Sequence, residues 1–312
     1  MKVNLYWGRG SSDWLTNRYW NFGLEEHQGI HPATKSKYIE YCTEPTDIGI
    51  FVDYDGDLKT LETLIKSSNH KYKIMVLMEP YSFNRALNKF ILENENLFDY
   101  IIAHYPEDLQ PYQRPSADKN TLGSCRWYTK NPEKYRYYIG GSRTMIRPHE
   151  RGFNINLKLK NICTIWSDKN FGLVGHDLRH EMIDWLKVNR PGVVDFHNPK
   201  EKIDVLKDYR YEIVVENEFP YFLSEKHIDA MLTGTLPIVW GSPDTIQWKG
   251  FNTDGMVFFE TADDLYKLLD SGMFTEDFYK GKVNALIHNY YEVQKHLSFG
   301  DIMWDSILKE IY

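Results

Sequence analysis

At 312 residues the chain is long enough for two domains of ordinary size. With 42% apolar and 26% charged residues it is neither disordered nor membrane-embedded, and a formal charge of −7 argues against a general nucleic-acid binder. Aromatic residues make up 15%, which suits surfaces that hold sugars or bases, although most of them must serve as core.

In chain order, short apolar runs alternate with helical patterns. Strands are expected at Val3–Trp7, Ile48–Val52, Tyr72–Met78 and Phe98–Ala103, with helices at Leu58–Ser67 and Phe83–Glu93. An irregular stretch runs from Pro106 to Asn156. The theme then repeats, with strands at Ile162–Trp166, Val193–Phe196, Tyr211–Glu216, Leu236–Trp240 and Met256–Phe259. Helices are expected at His176–Val188 and Glu225–Thr233, and several more close the chain. Repeated β-α-β units imply parallel sheets with helices on both faces. The expected architecture is therefore α/β, two Rossmann-like domains facing each other across a cleft, divided as 1–156 and 157–312. Ligands belong at the carboxyl ends of the strands.

Cys42, Cys125 and Cys163 are widely spaced and odd in number, so they form neither a disulfide framework nor a metal knuckle. The N-terminal apolar run is too short for a signal sequence, and no stretch approaches the roughly 20 residues of a membrane helix. A cytoplasmic location is the expectation. From Pro111 to Arg151 nine Lys/Arg face three Asp/Glu, interleaved with Trp127, Tyr128, Tyr135, Tyr137 and Tyr138. That stretch reads equally well as a site for a phosphate-bearing or extended polar ligand and as a solvated connector.

The richest segment runs from Tyr211 to Pro243. A strand ends at Glu216-Asn217, and Ser224 is then a good N-cap for a helix with an apolar stripe at Ile228, Met231 and Leu232 that stops at Gly234. Free N–H groups at that helix start, its positive dipole end and Lys226 in the first turn together suit a diphosphate. Glu225 would be repelled by phosphate but can accept hydrogen bonds from ribose hydroxyls. An ordinary capped helix with an exposed Glu-Lys pair fits the same residues.

The run Glu216-Asn217, Ser224-Glu225-Lys226, Ala230 and Pro237-Ile238-Val239-Trp240-Gly241-Ser242-Pro243 resembles the donor-binding signature of the α-1,3/4-fucosyltransferases, glycosyltransferase family 10. Lys160–Ser167 followed by Arg179 extends the similarity upstream, so that it covers roughly residues 160–260. The resemblance implies a GT-B fold, GDP-fucose as donor, a glycan acceptor, and inversion at the anomeric carbon with no cofactor and no essential bound metal. It implies that Lys226 holds the diphosphate, Arg179 neutralises the leaving nucleotide, Glu225 contacts the ribose and Asn217 lies near the sugar or phosphate. Ser167, Glu216, Tyr221 and Ser224 complete the implied donor site. A guanidinium suits bidentate phosphate binding in any case. Two departures stand out: Glu218 replaces the usual Ser, and Phe222, beside Tyr221, replaces the usual Tyr.

Inverting transfer needs a general base for the acceptor hydroxyl. Glu79, at the carboxyl end of the Ile74–Met78 run, is the candidate, ahead of Glu107, Asp108 and Glu95. Acceptor contacts are assigned to Trp7, Arg9, Tyr81 and Trp127. Asp53-Tyr54-Asp55-Gly56-Asp57 is read as a solvated turn rather than a metal motif, since its Gly comes too early for a calcium loop. Gly8-Arg9-Gly10 lacks the third Gly of a dinucleotide fingerprint. His176, His180 and His197 are too irregular for a metal site, although His176 and His180 share a helix face. The function expected is metal-independent transfer of fucose with no nucleic-acid partner. The alternatives are a relative using another nucleotide sugar, or a non-catalytic glycan- or nucleic-acid-binding protein.

Overall fold

The computed structural model describes residues 1–8, 36–42, 44–54, 57–77, 85–103, 131–137, 144, 146, 148–170, 172–217, 224–241, 243 and 250–312, with backbone alone at Trp7, Gly8, Tyr54, Tyr137 and Pro148. Two parallel sheets organise them. The first contains β1 (Lys2–Gly8), β2 (Glu40–Tyr41), β3 (Ile48–Tyr54), β4 (Tyr72–Val76), β5 (Tyr100–Ala103) and β6 (Tyr135–Tyr137), in the order β2-β1-β3-β4-β5-β6. The second contains β7 (Lys160–Ile165), β8 (Asp195–His197), β9 (Tyr209–Val214), β10 (Leu236–Trp240) and β11 (Val257–Phe259), in the order β11-β10-β9-β7-β8. All pairings are parallel.

Strand parity explains how the first sheet is covered. Ile50, Val52, Ile74, Val76 and Ile102 point to one face; Phe51, Met75, Leu77, Ile101 and Ala103 point to the other. Both sets are buried, so both faces need a partner. The second set packs on α1 (Leu58–Ser67) and α2 (Arg85–Glu93) through Leu61, Ile65, Leu87, Phe90 and Ile91. Asp57 caps α1, accepting from the amides of Lys59 and Thr60, and this is the observed work of the last carboxylate of the Asp53–Asp57 run.

The second sheet carries α3 (Val174–Asn189) after β7, α4 (Ile203–Leu206) before β9 and α5 (Glu225–Leu232) between β9 and β10. α6 (Ala262–Asp270), α7 (Glu276–Gly281) and α8 (Val283–Val293) follow β11. A core of Ile146, Ile228, Met231, Leu232, Val239, Met256, Val293 and Leu297 joins α5 and α8 to β10.

The first face of the first sheet is covered by the chain's end. Phe299, Ile302, Met303, Ile307 and Leu308 pack on it from α9 (Phe299–Met303), a π-helical turn at Trp304–Leu308 and α10 (Lys309–Ile311). Asp301 fixes this return by accepting from Ser36 Oγ at 2.6 Å and from the Lys37 amide at 2.8 Å. Among the described residues the first compact unit thus comprises those up to 137 together with Ser298–Tyr312, and the second comprises those from 144 to 297. A single division at 156 does not anticipate the return, nor that Thr144 and Ile146 already pack with the second unit. The stretch expected to be irregular also supplies the edge strand β6. No helix among the described residues is long and apolar enough to cross a membrane.

If the return segment completes the first core, Leu308→Ala should destabilise that unit by about 2–5 kcal/mol in denaturant titration. An unchanged transition would contradict this packing.

Candidate functional site

In the second sheet the chain runs from β7 to β8 on one side, then returns past β7 to β9. The strand order therefore reverses between β7 and β9, and the carboxyl ends of those two strands form the crevice in which doubly wound sheets take ligands. The helices after these strands, α3 and α5, deliver side chains to that point.

α3 approaches very closely. A Cβ on Gly175 would sit 1.6 Å from the Glu216 carbonyl oxygen, so only glycine permits the contact. The Gly175 amide donates to the Asn217 carbonyl at 3.1 Å. At the next residue, His176 Nε2 lies 3.0 Å from Asn217 Oδ1, and one turn further along Arg179 Nη2 donates to the Val215 carbonyl at 2.6 Å and approaches Asn217 Oδ1 at 3.5 Å. Arg179 is buried; the desolvation pushes its pKa down, with Glu216 and Glu225 opposing, and the guanidinium stays charged.

α5 is capped by Ser224, whose Oγ accepts from the Lys226 amide. The same hydroxyl donates to Glu216 Oε1. Lys226 Nζ lies 2.9 Å from Glu216 Oε2 and 3.6 Å from Glu225 Oε1, while His227 Nδ1 is 3.1 Å from Glu216 Oε1. Burial would raise the Glu216 pKa, but Lys226, His227 and Ser224 outweigh it and hold the carboxyl well below its ordinary range. For Glu225 burial is likewise outweighed, chiefly by Lys226 and Lys202, and its pKa falls to about 2. Lys226 is raised: burial would lower it, and Glu216 and Glu225 more than compensate. Two cations, Arg179 and Lys226, therefore stand among two carboxylates at a helix N-terminus. The amides of Lys226 and Ile228 are already engaged by Ser224, so the arrangement can bind a dianion through the two cations at the positive end of the α5 dipole while the carboxylates keep their charge.

Of the residues expected in the donor site, Arg179, Glu216, Asn217, Ser224, Glu225 and Lys226 come together here. Ser167 follows β7, half-buried, and makes no hydrogen bond to this group among the described residues. Glu79, Arg9, Tyr81, Trp127, Tyr221, Phe222 and Glu218 lie outside the described residues, as do Glu107 and Asp108, and only the backbone of Trp7 is described. Glu95 is engaged elsewhere, accepting from Tyr135 Oη at 2.9 Å and from Asn131 Nδ2 at 2.5 Å. His180 Nε2 meets the Lys169 carbonyl and His197 meets Tyr209 Oη, so the two diverge from His176.

Sequence reasoning missed the layer beneath the site. Asp229 on α5 is fully buried and binds Lys202 Nζ at 2.7 Å and Thr144 Oγ1 at 2.6 Å. Glu212, in the middle of β9, is buried beside them, and its Oε2 has no hydrogen-bond partner among the described residues. Burial lifts its pKa to about 8, against the pull of Lys202 and with a push from Asp229. A lone Glu within the apolar run Tyr209–Val214 was the available signal.

No family model matches the chain. An α-glucosyltransferase solved with UDP-glucose and DNA containing an abasic site aligns over 98% of both chains with a TM-score of 0.53 at 11% identity. This defines the class: the fold is that of the GT-B glycosyltransferases. A stretch of 116 residues is 33% identical to the α-(1,3)-fucosyltransferase FucT of Helicobacter pylori, covering 34% of this chain and 24% of that protein. A crystal structure of an α1,3-fucosyltransferase also aligns, over 85% of this chain and 79% of that one, with 20% identity and a TM-score of 0.43. The resemblance to the α-1,3/4-fucosyltransferases is thus carried by an alignment as well as by the motifs, and the alignment spans about a quarter of the relative's length.

Two predictions follow from the electrostatics. Glu212 binds its proton more tightly folded than unfolded, so stability falls as pH rises from the ordinary value of 4.5 through about 8. Glu212→Gln should leave thermal stability near pH 5 unchanged and raise the transition temperature near pH 9 by roughly 5 °C or more; an equal shift at both pH values would contradict this. Lys226→Ala strands the buried Glu216 carboxylate and should destabilise the second unit by about 3 kcal/mol, read by denaturant titration without ligand.

Proposed function

We propose that the chain is an inverting glycosyltransferase that transfers fucose from GDP-fucose to a hydroxyl of an acceptor glycan, without a metal. The observation that carries this reading is the convergence of Arg179 and Lys226 with the α5 N-terminus at the point where the strand order reverses. Two fixed cations at the positive end of a helix dipole suit a nucleoside diphosphate leaving group, whose negative charge grows as the glycosidic bond breaks. A metal would do the same electrostatic work, and these groups supply it from the protein.

Lys226 rests on Glu216 and Glu225. Binding a diphosphate adds a further acceptor to the ammonium without removing the carboxylate that holds it. Glu225 keeps its charge and offers acceptor oxygens for ribose hydroxyls. The fucosyl part of the reading rests on the motif resemblance and on FucT, and the acceptor part on the sequence alone. Glu79 is proposed as the base, with Trp7, Arg9, Tyr81 and Trp127 as acceptor contacts. With the proton taken by Glu79, the acceptor oxygen attacks the anomeric carbon as the bond to the diphosphate breaks.

The test is a panel of nucleotide sugars scored for binding, hydrolysis and transfer. GDP-fucose should be bound and hydrolysed in preference to UDP-sugars, and Arg179→Ala should reduce turnover at least a hundredfold. If GDP-fucose is neither bound nor hydrolysed while a UDP-sugar is, the fucose assignment fails and the transferase reading stands. If no nucleotide sugar is bound at all, the reading fails as a whole.

A further inference from the structure

Asn217 stands at the junction of the site, and its side chain is held from one direction. Both groups that face its Oδ1 come from α3: His176 Nε2 at 3.0 Å and Arg179 Nη2 at 3.5 Å. A guanidinium only donates, so the amide atom turned toward it is the oxygen. The carbonyl oxygen in turn only accepts, so the proton between Asn217 and His176 sits on Nε2. The amide nitrogen consequently points away from α3, and its N–H donors have no partner among the described residues. The main chain at Asn217 is held by the Gly175 amide, so the side chain has little freedom beyond the amide plane.

His176 is suited to this work. It is buried, and the groups facing it are basic: Arg179 and His180 from its own helix and Lys226 from α5. Burial, and then Arg179, push its pKa down, while the hydrogen bond to Asn217 opposes them. The imidazole is therefore neutral around pH 7, and one ring nitrogen donates.

We propose that His176 is a positioning residue for the transfer reaction: its Nε2–H fixes the Asn217 amide so that Asn217 offers hydrogen-bond donors to an oxygen of the nucleotide-sugar donor. The proposal rests on the reading of this site as a nucleotide-sugar site. It gives Asn217 a donor role beside the cations, and it gives α3 a second task besides carrying Arg179. His176 itself touches no substrate. It acts by preventing the amide from turning its carbonyl oxygen toward a negatively charged ligand, where that oxygen would repel it.

The experiment measures GDP affinity by calorimetry, and donor KM and kcat with GDP-fucose, for the unaltered chain, His176→Gln, His176→Phe, Asn217→Ala and the double variant His176→Phe/Asn217→Ala. Thermal melts check that each is folded. Gln keeps a side-chain N–H, and Phe fills the ring volume without one. The expected result is a five- to tenfold loss of GDP affinity in His176→Phe, the scale of one hydrogen bond. His176→Gln should stay within about threefold of the unaltered chain. In the Asn217→Ala background the Phe substitution should change affinity less than twofold, because its target is gone. A folded His176→Phe variant with undiminished affinity would overturn the proposal, as would an equal loss with and without Asn217. Should both His176 variants fail to fold, side-chain amide resonances of Asn217 in the unaltered chain decide: a protected, single conformer supports the proposal and rapid amide rotation overturns it. Binding of neither GDP nor UDP by the unaltered chain would overturn the nucleotide reading and this proposal together, whereas normal GDP binding with additive losses would overturn this proposal alone.

Discussion

The site depends on one buried carboxylate. Glu216 leaves the end of β9 with almost no exposure, and a lone charge in that position would be strongly unfavourable. Ser224, Lys226 and His227 surround it, and all three belong to the cap and first turn of α5. The carboxylate therefore ties the end of a strand to the start of the next helix, and that helix start is the element proposed to bind the anion. Lys226 is consequently a structural counter-ion as well as a proposed ligand group. The residue proposed to draw a diphosphate to the site is the one that makes the buried Glu216 tolerable.

α3 completes the arrangement from the other side of the strand-order reversal. Its glycine allows backbone contact with Glu216 and Asn217, and that closeness brings His176 and Arg179 onto the same two residues. Beneath both helices runs a buried polar layer of Lys202, Asp229, Thr144 and Glu212. Lys202 and Thr144 bind Asp229, although burial still raises its pKa. Glu212 Oε2 has no hydrogen-bond partner among the described residues, and the uncharged form of Glu212 is the one the fold prefers near neutrality. Charge in this unit is thus graded, from fixed ions at the ligand point to a protonated acid in the core.

Much of this was legible in the sequence for physical reasons. α1 begins and ends where the apolar period puts it, and β10 coincides with the run Leu236–Trp240. Ser224 caps α5 and Gly234, at φ 68°, takes the left-handed position after it. These are local signals, and local rules read them. What escaped was non-local. Nothing in the text of residues 299–308 says that they cover a sheet begun at residue 2, because an amphipathic helix does not name its partner. β6 is a three-residue edge strand inside a polar, aromatic stretch, too short to announce itself by alternation. The spacing of His176, His180 and His197 bears only on metal binding, for which it is too irregular. The partner of His176 is an amide forty-one residues away, which only the fold brings near.

The central claim is that Arg179, Lys226 and the α5 N-terminus form a diphosphate site, and a crystal structure with GDP bound tests it most directly. The account predicts phosphate oxygens within hydrogen-bond distance of Arg179 and Lys226 Nζ and ribose hydroxyls at Glu225, with Glu216 still paired to Lys226. A nucleotide bound elsewhere, with Lys226 engaged only by Glu216 and Glu225, would contradict it.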